Sequence, residues 1–182
     1  MILIVDMNWK PESLGYYEFV MPIVAVAEKL GDCTVKHYLE VSKQDLCRCD
    51  RVILSGTALR DNEFLSNSER FQWLKETVKP VLGICAGMEI IGVVFEARLN
   101  QSLEIGMTPI TSIKENPLFT GDFRAYSLHS VYVEGSDSFE VLAYSTKCIQ
   151  ALRHKTKPIY GVLFHPEVRN QEIIKKFIEK IN

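Results

Sequence analysis

Apolar residues follow two rhythms along this chain, and the rhythm changes near residue 96. Before that point, continuous apolar runs alternate with stretches of helical spacing. Met1 to Val5 is unbroken and ends at Asp6, the pattern of a central parallel strand covered on both faces. From Gly15 to Leu30, Phe19, Val20, Ile23, Val24, Val26, Ala27 and Leu30 recur as one helix face, with Gly31 placed as a C-cap. Pro22 inside this stretch marks a first turn or a kink, because it cannot donate a helical hydrogen bond. Thr34–Tyr38 and Arg51–Ser55 read as the next two strands, the latter ending in Gly56. Ser66 to Val78 reads as a helix opened by a Ser66-x-x-Glu69 capping box, with Phe71, Leu74 and Val78 on one face and Pro80 as its stop. Val81-Leu82-Gly83-Ile84 follows at once as a strand that turns into a helix headed by Cys85. Such β-α-β alternation predicts an α/β fold with a doubly wound, mostly parallel sheet.

Beyond Glu96 the pieces are short and strand-like, at 103–113, 123–133, 139–145 and 148–153, punctuated by Gly106, Pro109, Gly121 and Gly135. They predict an antiparallel extension of the main sheet. Pro158 to Phe164 is again a buried strand. Gln171 to Ile181 closes the chain as a helix with Ile173, Ile174, Phe177, Ile178 and Ile181 on its buried side.

Bulk properties narrow the class. With 182 residues and 47% hydrophobic content the chain suits one domain, spanning 1–182. A net charge of −2, without a basic block or aromatic-basic interleaving, points away from nucleic acid and anionic membranes and toward small molecules or proteins. No apolar run approaches the ~20 residues of a membrane span, and the N-terminus enters a strand without a basic leader, so a cytoplasmic location is expected. The five cysteines, at 33, 47, 49, 85 and 148, have no disulfide-framework spacing and are expected as thiols. Cys47-Arg48-Cys49 lacks the second ligand pair of a zinc knuckle, and His37 and His154 have no metal-type neighbours, so no metal is expected.

The chemistry concentrates at two places. In Gly83-Ile84-Cys85-Ala86-Gly87 an apolar strand meets a helix through Gly-x-Cys-x-Gly, the cysteine version of the nucleophile elbow. A thiol heading a helix feels the positive end of the helix dipole, which favours the thiolate. The competing reading is an inert core cysteine, since free thiols are among the most buried groups. The second place is His165-Pro166-Glu167, where residues two apart on a strand address one location and a carboxylate can orient an imidazole. Nucleophile, base and orienting group are all available.

These motifs resemble the class I (triad-type) glutamine amidotransferases, whose signature is a Gly-x-Cys-x-Gly elbow followed far downstream by His-Pro-Glu. The resemblance covers most of the chain, and the stretch from Arg153 to Val168 looks most like the separate amidotransferase subunit of archaeal-type GMP synthases. It implies a flavodoxin-like sheet, glutamine as substrate, Cys85 as nucleophile, His165 as base and Glu167 as its partner, with no metal or organic cofactor. It also implies an oxyanion hole from the amides of Gly56 or Thr57 and of Ala86, although Ser55-Gly56-Thr57 alone also reads as an ordinary strand-ending turn. Ser127-Leu128-His129-Ser130-Val131 resembles the family segment that presents backbone to substrate glutamine, so His129, Ser130 and Val131 are substrate-site candidates; an ordinary strand remains the other reading. The family passes its ammonia to a synthetase, and because this sequence holds no Gly-rich phosphate loop, that ATP-dependent synthetase is expected as a separate polypeptide.

Two positions depart from the family pattern: Thr57 stands where a second glycine is usual and Glu89 where a glutamine is usual. Glu89, one turn along the helix from Cys85, either faces the substrate site or turns outward. A peptidase or γ-glutamyl hydrolase using the same triad, or a catalytically weakened regulatory homologue, are the alternatives.

Overall fold

The computed structural model describes residues 1–181. Its apolar runs lie side by side in a nine-stranded sheet ordered β2-β1-β3-β4-β9-β8-β7-β5-β6. β1 (Ile2–Asp6), β2 (Cys33–His37), β3 (Arg51–Leu54), β4 (Val81–Ile84) and β9 (Ile159–Val162) are parallel. β8 (Ile149–His154), β7 (Phe139–Tyr144), β5 (Leu99–Ser112) and β6 (Phe123–Val133) continue the sheet in antiparallel pairings. The fold is therefore an α/β mixed sheet with the expected antiparallel extension.

Successive residues of β1 show why the runs are continuous. Ile2 and Ile4 join one core with α1 (Met21–Ala27) and α6 (Glu172–Lys180), while Leu3 and Val5 join a second core on the opposite face. The second core includes residues of α3 (Glu63–Ser66), α4 (Trp73–Glu76) and α5 (Ala86–Val94). With side chains alternating across the sheet, a strand covered on both faces has no polar side.

Several elements differ from expectation for local reasons. Ser66–Val78 is not one helix: α3 ends at Ser66, a 3-10 turn spans Ser68–Phe71, and α4 follows. Asn67 breaks it, with φ −116° and ψ 29° and its side chain donating to the Glu63 carbonyl at 2.9 Å, a local bond that competes with helix. Ser66 makes no capping bond, and Val78 is 81% exposed, although Phe71 and Leu74 are buried as expected. The capping box lies instead at Ser42 and Asp45, opening α2 (Lys43–Arg48), which the apolar pattern did not announce. The first long helix is also divided: Tyr16–Val20 is a π-helical turn and α1 begins beside Pro22, so that proline is a first-turn residue. Gly31 donates to the Ala27 carbonyl but is not left-handed. Gly106 and Pro109, expected as breaks, lie inside β5.

Candidate active site

The end of β4 turns directly into α5 through Cys85, whose φ of 48° and ψ of −104° lie in a region that non-glycine residues seldom occupy. Such a conformation costs on the order of 1–3 kcal/mol and persists only when its surroundings hold it. Here they do. A Cβ on Gly83 would sit 2.4 Å from the Gly87 backbone, and one on Gly87 would sit 2.6 Å from the Leu54 carbonyl oxygen. Only glycine lets β4, α5 and β3 approach this closely. Among the described residues no group accepts from the Gly56, Thr57 or Ala86 amides, which leaves donors available beside Cys85.

His165 and Glu167 are brought to the same place by the chain that leaves β9. The strand itself ends at Val162, so the two residues meet in the following turn rather than along a strand. The His165 amide is anchored by the Tyr126 carbonyl at 2.8 Å. Its Nδ1 lies 2.6 Å from Glu167 Oε1, both side chains being fully buried, and among the described residues its Nε2 has no hydrogen-bond partner. Gly56 packs on this ring, since a Cβ there would lie 2.6 Å from His165 Cε1 and 3.5 Å from Cys85 Cβ. Gly56, Cys85 and His165 thus converge.

The electrostatics follow from burial and pairing. Burial works against the His165 imidazolium, but the Glu167 carboxylate and then Cys85 outweigh it and hold its pKa well above the usual value. Burial also pushes the Cys85 thiol up, against His165, which favours the thiolate; Glu89 and Glu167 add to the rise. The helix-end thiol is therefore not poised by the dipole alone, as expected from its place in the sequence: with 5% of its surface exposed, desolvation dominates. The direction that matters chemically is the raised basicity of His165, which makes it an acceptor for the thiol proton. The thiol itself donates to the Leu128 carbonyl at 3.6 Å.

A cleft of only about 10 Å³ brings together Thr57, Cys85, Ala86, Glu89, His129, Ser130 and Val131, and Leu128, Asp61 and Asn62 line it as well. Through Ala58, Asp61 and Asn62 it adjoins an open cleft of about 540 Å³ that includes Trp9 and Arg60. Gly56 does not line it. Asp61 and Asn62 were not foreseen from the sequence, because their residue types carry no signal of their own in a loop, whereas Leu128 lies in the segment expected to present backbone. Glu89 turns inward: it is 5% exposed, and burial raises its pKa to about 7 against the opposing charge of His165. Thr57 is buried and its Oγ1 donates to the Asp61 carbonyl at 3.1 Å, tying the loop that carries its amide. The His129 ring points away from the cleft toward β5 and β8, so what this residue offers there is backbone.

One group among the described residues collects three metal-type side chains, Glu104, His129 and Cys148, whose ligand atoms lie within 4.8 Å of one another. Gln150 Nε2 stands among them, 2.6 Å from Glu104 Oε2 and 3.3 Å from both His129 Nε2 and Cys148 Sγ, filling the position with a hydrogen-bond donor. Cys47 and Cys49 are not part of it.

Comparison with known proteins adds independent information. A family model described as glutamine amidotransferase class-I matches residues 16–181. A subunit of the glutamine-hydrolysing GMP synthase of Methanococcus maripaludis is 41% identical over 140 residues, 71% of this chain and 72% of that one. The protein of the same name from Methanocaldococcus jannaschii is 39% identical over 109 residues, 54% of this chain, and the match spans only 58% of its length. A crystal structure of a candidate GMP synthase subunit from Thermoplasma acidophilum superposes with a TM-score of 0.84 at 25% identity, covering 98% of this chain and 92% of that one.

Proposed function

The chain belongs to the class-I glutamine amidotransferase family, and within it we propose that residues 1–182 form a single glutaminase domain working through Cys85, His165 and Glu167. The observation that carries this reading is a buried His165, held by the Glu167 carboxylate, that packs with Cys85 around Gly56, the thiol being set on a strained elbow beside unengaged amides.

In this mechanism His165 takes the Cys85 proton through Nε2 while Glu167 holds the other ring nitrogen and stabilises the imidazolium. The thiolate attacks the side-chain carboxamide carbon of glutamine. The resulting oxyanion is received by the Ala86 amide and by that of Gly56 or Thr57, donors each typically worth ~10²–10³ in rate. Collapse breaks the C–N bond as His165 returns its proton to the leaving nitrogen, releasing ammonia and leaving a γ-glutamyl thioester. Water, deprotonated by His165, hydrolyses the thioester to glutamate and regenerates the thiol. Backbone of Leu128–Val131 holds the amino-acid end of the substrate.

Ammonia then passes to a separate ATP-dependent synthetase. The names of the relatives favour a GMP synthase as that partner. Five free thiols fit a reducing, cytoplasmic setting, and no helix among the described residues is long and apolar enough to cross a membrane.

Activity in the isolated chain is conditional on this reading. A 10 Å³ cleft does not hold glutamine, and an ionised Glu89 places negative charge beside the thiolate and the substrate carboxylate. Partner docking that widens the cleft relieves the first; protonation of Glu89 relieves the second. The test is glutamine turnover by the chain alone and with a GMP synthetase, ATP and acceptor. Partner-stimulated glutamate release that Cys85→Ala abolishes supports the proposal, and peptide or polyglutamate cleavage with no glutamine turnover rejects it.

A further inference from the structure

β5 breaks the usual logic of a half-covered strand. Leu103, Ile105 and Met107 point outward and are 54%, 61% and 41% exposed, whereas Glu104 between them points inward and is buried. A shift of one residue would reverse this, burying the three apolar side chains and releasing the carboxylate to water. The register is held by an irregularity: from Gln101 to Glu104 β5 advances three positions while β6 advances two, from Val131 to His129. Bulges of this kind re-aim a side chain. Here the side chain delivered is Glu104, directly opposite His129.

Around Glu104 the donors and acceptors close on one another. Its Oε2 accepts from Gln150 Nε2 at 2.6 Å, Ser145 Oγ at 3.0 Å and Cys148 Sγ at 3.4 Å. His129 Nδ1 donates to the Ser102 carbonyl at 3.0 Å, which fixes the ring's orientation. Nε2 lies 3.2 Å from Glu104 Oε2 and 3.3 Å from Gln150 Nε2, so ring, carboxylate and amide meet at one point. Burial pushes the His129 pKa down, against Glu104 and the Ser102 carbonyl, which favour the imidazolium. Four segments are stitched together: β5, β6, β8 and the turn at Ser145–Cys148. The residue they fix is His129, between the Leu128 carbonyl, which accepts from the Cys85 thiol, and Ser130 and Val131, which line the cleft.

We propose that Glu104 and Gln150 are positioning residues for glutamine binding: by holding the His129 ring they set the backbone of Leu128–Val131 against Cys85. This rests on the glutaminase reading above. Neither residue touches the substrate, and the effect is on where the substrate's amino-acid end is held. A misplacement of about 1 Å in such a site can cost on the order of 10²-fold.

The experiment compares two alkylating reagents on the full chain with its synthetase partner present. Iodoacetamide needs only an accessible Cys85 thiolate; a chloroketone analogue of glutamine needs the substrate backbone as well. For Glu104→Ala and Gln150→Ala the glutamine-analogue rate at Cys85 is expected to fall about tenfold or more. The iodoacetamide rate should stay within about twofold, and the glutamine KM should rise more than kcat falls. Glu104→Gln, which keeps an acceptor oxygen for Gln150, should recover part of the loss and serves if the alanine variant does not fold. A variant that lowers thermal stability but leaves the ratio of the two alkylation rates unchanged overturns the positioning role. So does stoichiometric zinc in the purified protein that is lost in Cys148→Ala, since the cluster is then a metal site and not a hydrogen-bond network. A wild-type chain that, with its synthetase partner docked, reacts with iodoacetamide and not with the glutamine analogue instead removes the glutaminase reading itself, together with the inference built on it.

Discussion

The parallel and antiparallel halves of the sheet place polar groups by opposite means. In the parallel half, strands covered on both faces are apolar throughout, and the candidate site residues follow where they end: Gly56 after β3, Cys85 after β4, His165 beyond β9. In the antiparallel half, the buried polar groups lie inside the strands, where a register irregularity turns Glu104 inward beneath the backbone that faces Cys85. Strand ends in an open α/β sheet form the ligand crevice as a matter of topology. An interior carboxylate has no such default, and its place requires a full set of partners. The parallel half should therefore supply the reacting groups, and the antiparallel half their alignment.

The sharpest way to break that division is at the reacting groups. Cys85→Ala should lower glutamine turnover by at least about 10³-fold, since removing a nucleophile leaves only binding and oxyanion stabilisation. A steady-state glutamate assay checks it. Glu167→Gln should cost about 10²–10⁴-fold, because His165 loses the carboxylate that fixes its tautomer and raises its basicity. The acidic limb of the pH–rate profile should move downward with it, as a pKa held high by Glu167 falls.

Next in size come changes that deform the elbow. Gly87→Val forces side-chain atoms against the Leu54 carbonyl, already 2.6 Å from a bare Cβ, and should destabilise the fold by several kcal/mol. Denaturant unfolding of that variant should show the loss, while Gly31→Ala, where a Cβ meets nothing within 4 Å, should not.

Glu89 gives the smallest effect, and one with a definite sign. Its folded pKa of about 7 exceeds the ordinary 4.5, so the native state holds the proton more tightly than the unfolded chain. Its contribution is fully present below about pH 4.5 and is lost as pH rises to about 7, by up to about 3 kcal/mol at full ionisation. Glu89→Gln should flatten that part of the stability profile and lower the glutamine KM above pH 7. Thermal unfolding from pH 4.5 to 8 and turnover at pH 6 and 8 measure both. An unchanged profile means that Glu89 is solvated at neutral pH.

What was legible in the sequence follows the same division. The elbow, the His-Pro-Glu turn and the parallel strands could be read because a buried parallel strand is a continuous apolar run that stops abruptly. Asn67 could not be read as a helix breaker, because its action depends on a side-chain bond to Glu63 that competes with a good apolar period. The inward Glu104 was equally hidden: Leu103, Ile105 and Met107 give the alternation of a half-buried strand with its faces exchanged. Only the pairing with β6 reveals which face is covered. Cys148 and Gln150 carried no signal for the same reason, since their partners lie more than 20 residues away in β5 and β6.

The central claim, that Cys85 is the nucleophile of a glutamine site, is tested most directly by mapping where a glutamine-analogue electrophile attaches. The native chain, with its synthetase partner present, is treated with the chloroketone and digested, and the modified peptide is identified by mass spectrometry. The account predicts stoichiometric modification of Cys85, blocked by excess glutamine. Modification at Cys33, Cys47, Cys49 or Cys148 with Cys85 untouched would contradict it.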